Sequence, residues 1–267
     1  MVIKFAKQLT AAFFLALIVW SCKDSGTGAE LESPPEIPDI SVAQPDFSYF
    51  DSSDIIYDQL TDGEAYTTAQ GTVVGAGFMF VFGQLGTAYI EMARDHESEF
   101  KNGQWVWSYR ASYDGETVEA KLVSTVNEDA NEAQWAYYMS SSGGETGYQE
   151  LKLMGGTTSL DGKRGTWAMY GFDDSASHEA MMTYDWEVDS DENLKASFEF
   201  PSEDASTSLV YVQDGSRYTL SINSMNGSVE VYWDVENDRG YWWDKTENQK
   251  LCWSSGKTSV ACGDIGL

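Results

Sequence analysis

The sequence predicts a mainly β domain, in which an antiparallel meander of about eleven or twelve strands forms a strongly curved sheet or open barrel around one N-terminal helix. Three observations predict this class: apolar and polar residues alternate repeatedly after residue 100, turn dipeptides separate the alternating segments, and one stretch before them has helical periodicity. The chain has 267 residues, of which 42% are hydrophobic and 14% aromatic, enough to fill a core.

The first segment has the features of a secretory signal. Lys4 and Lys7 precede an apolar run over residues 9–20. This run is shorter than the roughly 20 residues that a membrane-spanning helix needs. We therefore predict a signal peptide over residues 1–21.

The signal ends in Val19-Trp20-Ser21-Cys22. This tetrapeptide resembles the lipobox of bacterial lipoprotein precursors, where signal peptidase II cleaves before a cysteine that then carries acyl chains such as palmitate; Trp20 is larger than the residue usual there. The resemblance implies lipidation of Cys22. Lys23-Asp24 is similar to the short charged signals of surface lipoproteins of the Bacteroidota. We therefore expect a lipid anchor in the outer membrane, on its periplasmic or cell-surface face.

The residues after Cys22 predict a flexible tether. Pro34, Pro35, Pro38 and Pro45 are four of the five prolines in the chain, and the segment is otherwise rich in Gly, Ser and Glu. Such a composition favours an extended, disordered chain. Residues 22–45 are therefore predicted to be the lipidated cysteine and a disordered, acidic, proline-rich tether, and residues 46–267 a single β-rich domain.

A helix is predicted near residues 75–99. Phe78, Phe82, Leu85, Tyr89 and Met92 recur there at spacings of four, three, four and three residues. A membrane span over residues 71–90 is the alternative, but glycines, threonines and a glutamine make the stretch too polar. We expect a core helix inside the sheet.

The strands are predicted from period-two alternation. In the clearest case Leu194, Ala196, Phe198 and Phe200 alternate with polar or charged residues. Similar rows begin at Trp105, Val118, Trp135, Leu151, Met182, Tyr218, Val229 and Tyr241. Five dipeptides that tolerate a positive φ separate such rows and predict hairpins: Asn102-Gly103, Asp114-Gly115, Asp161-Gly162, Asp214-Gly215 and Asn226-Gly227.

Composition excludes several classes of function. The chain has 16 basic and 43 acidic residues and a net charge of −27, which repels nucleic acid and anionic lipid. We expect no nucleic-acid partner, and contact with the membrane only through the N-terminal lipid. Two histidines and three cysteines leave little for a zinc site or a histidine-based triad. We therefore predict no metal, no cofactor and no enzymatic activity.

Two cysteines remain after lipidation of Cys22. An exported protein folds under oxidising conditions, so Cys252 and Cys262 are predicted to form a disulfide near the C-terminus. The alternative, a pair of free thiols at a metal site, lacks companion ligands.

A candidate ligand platform lies in the last third of the chain. Aromatic residues occupy both faces of a predicted hairpin there, so one face requires an explanation. Either this face is buried under the N-terminal segment, or Tyr232 and Trp242 form an exposed platform that stacks on sugar rings, with Asp234 and Asp244 accepting hydroxyl hydrogen bonds.

Two further features lie outside the main pattern. Tyr138 and Tyr170 stand off the apolar rows of their strands. The run of residues 189–193 has oxygen ligands at calcium-loop spacing, in Asp189, Asp191 and Asn193. Leu194 stands where such a loop needs glycine, so we interpret the run as an acidic hairpin turn.

The sequence thus predicts an outer-membrane lipoprotein whose acidic β domain is a non-enzymatic binding or structural module. The partner is a glycan, a hydrophobic ligand or another envelope protein. One alternative is a carrier that holds a hydrophobic ligand between the helix and the concave sheet, a shape similar to that of periplasmic lipoprotein carriers. The other is a secreted hydrolase with two carboxylates converging in a cleft.

Overall fold

Helix α1 (Glu64–Arg94) precedes fourteen β-strands. The computed structural model describes residues 33–38, 43–51, 63–113, 116–142, 147–171, 179–202 and 206–267, apart from the side chains of residues 81–91, 113, 116 and 148. The strands are β1 (Ser98–Lys101), β2 (Gln104–Tyr113), β3 (Glu116–Asn127), β4 (Glu132–Ser142), β5 (Tyr148–Ser159), β6 (Arg164–Tyr170), β7 (Ala180–Val188), β8 (Leu194–Phe200), β9 (Thr207–Asp214), β10 (Arg217–Ser224), β11 (Gly227–Asp234), β12 (Arg239–Asp244), β13 (Gln249–Ser254) and β14 (Thr258–Val260). The predicted signal peptide and the acylated Cys22 lie outside the described residues.

All fourteen strands form one sheet in sequence order, and each pairs antiparallel with its neighbours. The predicted mainly β, antiparallel meander is therefore confirmed. The sheet is open, with β1 and β14 as its edges in the described part of the chain. The predicted number of strands was too low. β1 and β14 have four and three residues, too few to show an alternation of their own.

The helix is real, but its predicted bounds were wrong. It begins at Glu64 rather than near residue 75, and residues 98–101 belong to β1. Polar threonines obscured its first turns. The hydroxyls of Thr67, Thr68 and Thr72 donate to the carbonyl oxygens four residues earlier, at 2.8–3.0 Å, which satisfies them inside a helix.

The buried face of α1 also differs from the predicted one. Ala65, Ala69, Val73, Ala76 and Phe80 are buried, at spacings of four, four, three and four residues. By contrast, Phe78 is 67% exposed and Met92 is 43% exposed. Both rows have the helical period, so the period identified the helix but could not identify its buried face.

The segment before α1 packs into the domain. Ile37, Ala43 and Phe50 are buried, and Nη2 of Arg94 donates to the carbonyl oxygens of Ile37 and Pro38 at 2.9 and 2.7 Å. Residues 34–267 form one unit. The tether predicted to extend to residue 45 therefore includes residues of the folded domain, because proline-rich composition predicted extension but did not exclude packing. Its residues 22–32 and 39–42 lie outside the described part.

Tryptophan and glycine face each other on neighbouring strands of the sheet. Gly156 lies between Trp135 and Trp167, and Gly165 faces Trp186. A Cβ atom at residue 165 would lie 2.3 Å from Cη2 of Trp186. Glycine at residue 165 makes room for the indole ring of Trp186. At residue 156 it allows the backbone of β6 to approach, since a Cβ atom there would lie 1.9 Å from the carbonyl oxygen of Thr166.

Candidate functional site

Tyr232 and Trp242 do not form a common platform. In the β11–β12 pair, Tyr232 faces Tyr241, whereas Trp242 faces the fully buried Val231. Adjacent residues of a strand point to opposite faces, so the two rings lie on opposite sides of the sheet. Nε1 of Trp242 donates to the hydroxyl of Thr72 on α1 at 3.1 Å. The predicted platform was wrong because the cross-strand register, which the sequence pattern did not fix, decides which rings share a face.

Asp234 and Asp244, the two aspartates of the predicted platform, each accept hydrogen bonds from the turn that follows their strand. The carboxylate of Asp234 is buried and accepts bonds from the backbone N–H and the side-chain amide of Asn237, at 3.1 and 2.8 Å. Asp244 accepts from the backbone N–H groups of Thr246 and Glu247, at 2.8 and 3.0 Å. Their oxygens are therefore engaged within the turns.

A short sequence repeat underlies these turns. Trp233-Asp234 and Trp243-Asp244 each end a strand, and the residue four positions after each aspartate has a positive φ: 46° at Asp238 and 53° at Asn248. Aspartate and asparagine tolerate this left-handed conformation better than most residues. The repeated Trp-Asp pair at a ten-residue interval was the available signal, and sequence reasoning missed it.

The aromatic side chains on the outer face of this hairpin are covered by their neighbours. Tyr232 and Tyr241 stack with their ring centroids 5.3 Å apart, and Nζ of Lys250 lies 3.9 Å from the centroid of Tyr241. The Tyr241 hydroxyl and Lys245 both donate to Glu230 at 2.6 Å. Burial alone would raise the pKa of Glu230, but these two bonds hold it below its usual value. The cluster is internally satisfied.

The cysteine pair is close in space. Cys252 and Cys262 form a disulfide, and their Cα atoms are 5.2 Å apart. Cys252 is buried in β13, whereas Cys262 is half-buried at the start of the 3-10 turn that follows β14. The bond fastens the C-terminal turn to the sheet.

The remaining sequence candidates are structural. Asp189 accepts from the backbone N–H groups of Asp191 and Asn193, at 2.8 and 3.0 Å, so the run around it is a hairpin turn. His96 stacks on Tyr109 with the ring centroids 5.2 Å apart, and His178 lies outside the described residues. Within the described ranges, no group of three or more His, Cys, Asp or Glu side chains could hold a metal ion.

The space that a hydrophobic ligand would need beside the first half of α1 is filled by the chain itself. The ring of Phe47 lies 5.5 Å from that of Phe80 and 5.6 Å from that of Tyr211. The ring of Phe50 lies 5.1 Å from that of Trp233. The N-terminal segment thus occupies the position of the expected cavity.

A cleft of about 630 Å³ lies on the outer face of strands β2 to β6. Its floor is made of small residues: Gly155 faces Ala136 on one side and Ala168 on the other. Three small residues in register on neighbouring strands leave a channel that runs across the strands. We call this feature the outer groove.

One border of the outer groove is a row of hydroxyl and amide side chains. Thr125, Gln134, Thr157 and Thr166 face one another in register on β3 to β6. Nε2 of Gln104 donates to the Thr125 hydroxyl at 3.1 Å. This border offers both donors and acceptors of hydrogen bonds.

The other border combines tyrosines with lysines. Nζ of Lys121 lies 5.0 Å from the ring centroid of Tyr138, and Nζ of Lys152 lies 5.0 Å from that of Tyr170. Lys121 also forms an ion pair with Glu150. A β-bulge opposite Tyr137 and Tyr138 places Tyr138 opposite Lys152 on this border. The two tyrosines that stood off the apolar rows therefore line one site.

A second cleft of about 410 Å³ continues the outer groove toward β8. The two clefts share Thr157 and Thr166. Neighbouring strands lie about 4.8 Å apart, so a site that extends from β2 to β8 is roughly 30 Å long. This length suits an extended chain molecule.

The carboxylates of the second cleft have partners of their own. Arg164 forms an ion pair with Glu132 at 3.3 Å, and the Thr166 hydroxyl donates to Asp185 at 2.6 Å. Glu187 faces both Arg164 and Lys195 across the neighbouring strands. These contacts mark the carboxylates as polar lining of the cleft.

Comparisons with known proteins assign no family. No family model matches the chain, and no curated protein gives a significant match. Among the described residues, none of the helices is both long and apolar enough to cross a membrane. The function is therefore argued from the residues and from the geometry of the outer groove.

Proposed function

We propose that this protein is a lipoprotein of the outer membrane whose β domain binds a glycan chain in the outer groove without catalysing a reaction. The observation that carries the proposal is the groove itself: a floor of Ala136, Gly155 and Ala168 between a tyrosine border and a hydroxyl and amide border. Sugar rings have apolar faces, which suit such a floor and tyrosine rings, and hydroxyl groups at their rims, which suit Thr and Gln.

The length and place of the groove support an extended ligand. It crosses the sheet on the face opposite α1, and all of its lining residues belong to strands β2 to β8. A small molecule needs an enclosing pocket, whereas a long chain gains affinity from many shallow contacts along an open groove.

The proposal includes the anchor. The lipobox-like Cys22 and the charged residues after it support acylation and the outer membrane. The net charge of −27 supports a domain that is held at the membrane only by its lipid. Fatty-acid labelling of the chain and of Cys22→Ser tests this part. We expect label in the first only, and equal label in both contradicts the anchor.

We further propose that the sheet curves around α1. The support is that α1 contacts β2 near one edge of the sheet and β11 to β14 at the other. A sheet whose two ends meet the same helix has to bend, and glycines paired with tryptophans allow close bending.

Filling the groove tests the binding function. Ala168→Trp places an indole on the floor, and Met225→Trp is the matched control, since Met225 is exposed in the turn between β10 and β11 and lines neither cleft. Binding of a panel of neutral and acidic polysaccharides to the full chain in detergent is measured by calorimetry. We expect Ala168→Trp to weaken binding at least tenfold and Met225→Trp to leave it unchanged. No bound polysaccharide, or equal binding by both variants, contradicts the proposal.

A further inference from the structure

Lys152 lies across the floor of the outer groove. A Cβ atom at residue 155 would be 2.7 Å from Cε and 2.8 Å from Nζ of Lys152, so the absence of a side chain at Gly155 is what makes room for this lysine. Its ammonium group lies over the ring of Tyr170, and the residue is half-buried. The ammonium group of Lys152 therefore lies inside the outer groove, at its floor.

Lys152 differs from the six basic residues that form ion pairs in the described part of the chain. Ion pairs in the described part of the chain engage Lys101, Arg110, Lys121, Arg164, Arg239 and Lys245. Lys152 has no carboxylate partner among the described residues, although acidic residues greatly outnumber basic ones in the chain. A half-buried ammonium group loses hydration without gaining a counter-ion, and an anionic ligand group would compensate that loss.

We propose that the outer groove is selective for acidic saccharides, in which a sugar carboxylate binds Lys152. This inference rests on the proposed function and names its ligand class. Because Lys152 covers Gly155, the ring carrying the carboxylate lies beside the ammonium group and on Ala168, and its neighbours in the chain reach the Thr and Gln border. A uronic acid has one carboxylate on its sugar ring, which matches the single ammonium group of Lys152.

Carboxylates far from the groove oppose this selectivity only weakly at physiological salt. Of the carboxylates that line it, Glu150 is paired with Lys121 and Glu132 with Arg164. The Debye length is about 8 Å at 0.15 M ionic strength, so distant carboxylates are screened. The local pair at Lys152 is partly shielded from solvent and is screened less. Low salt, by contrast, strengthens the repulsion between an acidic chain and the rest of the molecule.

A matched pair of probes tests the charge. Hexagalacturonate and its fully methyl-esterified form have the same rings and length, and only the first has carboxylates. Calorimetry with the full chain in detergent at pH 7 and 0.15 M salt compares them. We expect the acid to bind at least tenfold more tightly than the ester.

Two variants assign the effect to one residue. Lys152→Met removes the charge and keeps an unbranched stem over Gly155, and Lys163→Met removes the same charge from an exposed turn. We expect Lys152→Met to bind acid and ester equally, and Lys163→Met to retain the difference. If Lys152→Met does not fold, increasing salt from 0.15 to 0.5 M in the unmodified protein replaces it: affinity for the acid should fall, and affinity for the ester should not.

The outcomes separate this inference from the proposed function. Equal binding of acid and ester by the unmodified protein overturns the charge selectivity and leaves glycan binding intact. If Lys152→Met and Lys163→Met lose the preference for the acid to the same extent, the preference comes from the total charge of the protein. This result also overturns the proposed role of Lys152. A polyglutamate of the same length that binds as tightly as hexagalacturonate overturns the saccharide class. Failure of both probes and of the whole polysaccharide panel overturns both proposals.

Discussion

Gly240 and Trp253 face each other across β12 and β13, and a methyl group at residue 240 would lie 2.3 Å from Cζ2 of Trp253. It would also lie 2.2 Å from the carbonyl oxygen of Tyr232. Trp253 is fully buried, so the indole cannot move into solvent. The glycine is therefore required by the position of the tryptophan.

Gly240→Ala should lower the free energy of unfolding by about 1–3 kcal/mol, because the methyl group forces the indole and the backbone of β11 apart. Urea denaturation followed by tryptophan fluorescence measures it. Gly71→Ala is the control, since a Cβ atom there meets nothing within 4 Å and alanine suits a helix. It should be neutral or slightly stabilising. Equal destabilisation by both variants would refute this account of Gly240.

Tyr49→Phe should destabilise the domain by about 1–3 kcal/mol. The Tyr49 hydroxyl donates to Asp238 at 2.9 Å and accepts from Nε1 of Trp253 at 3.0 Å, so its loss leaves a buried indole donor without a partner. Thermal unfolding of both proteins measures the change. Tyr232→Phe is the control and should unfold like the unmodified chain. A Tyr49→Phe protein of unchanged stability would show that the two hydrogen bonds of the Tyr49 hydroxyl contribute little to the free energy of unfolding.

The stability contributed by Asp234 should depend on pH. Burial alone would raise its pKa, but the two bonds from Asn237 and the charge of Arg239 hold the pKa below its usual value. A carboxylate with a lowered folded pKa stabilises fully above the unfolded pKa of about 3.9 and loses that contribution as pH falls through the folded pKa.

Asp234→Asn should therefore cost about 1–2 kcal/mol at pH 7, and the difference from the unmodified protein should shrink below pH 4. Urea denaturation at a series of pH values measures it. Asp191→Asn removes an equal charge from an exposed turn and should show little effect at any pH. A difference that is constant from pH 7 to pH 2 would exclude the ionised carboxylate as its source.

Removal of the disulfide by Cys252→Ala with Cys262→Ser should lower the free energy of unfolding by about 2–3 kcal/mol, because the bond closes a short loop in the unfolded chain. Adding dithiothreitol should bring the unmodified protein to the stability of the double variant. The double variant itself should not respond to the reductant. If full reduction left the free energy of unfolding of the unmodified protein unchanged, the disulfide would constrain neither the folded nor the unfolded state.

Much of the fold could be read from the chain. The dipeptides Asn102-Gly103, Asp161-Gly162, Asp214-Gly215 and Asn226-Gly227 all lie at hairpin turns, because few residues accept the positive φ found at Asn102, Gly103, Gly162, Gly215 and Gly227. Antiparallel order follows from such short connections. Asp114-Gly115 falls outside the described residues.

The sequence predicted the candidate site less well than the fold. Tyr138 and Tyr170 were recognised as unusual because they lie off the apolar rows of their strands. Their common site was not recognised, because it depends on small residues on three different strands coming into register. In the sequence, nothing distinguishes Gly155 from other glycines. It makes room for Lys152 only when β4, β5 and β6 are paired.

By itself, the sequence determined the antiparallel meander, its turns and the presence of a helix, since these depend on residues close together in the chain. The tertiary structure alone decided that Trp242 meets α1 while Tyr232 faces outward, and which stripe of α1 is buried. It also decided that Ile37 and Ala43 contribute to the core and that an outer groove forms. The reason is physical: a shift of one residue in register exchanges the two faces of a strand without changing its alternation, so local pattern cannot choose between them.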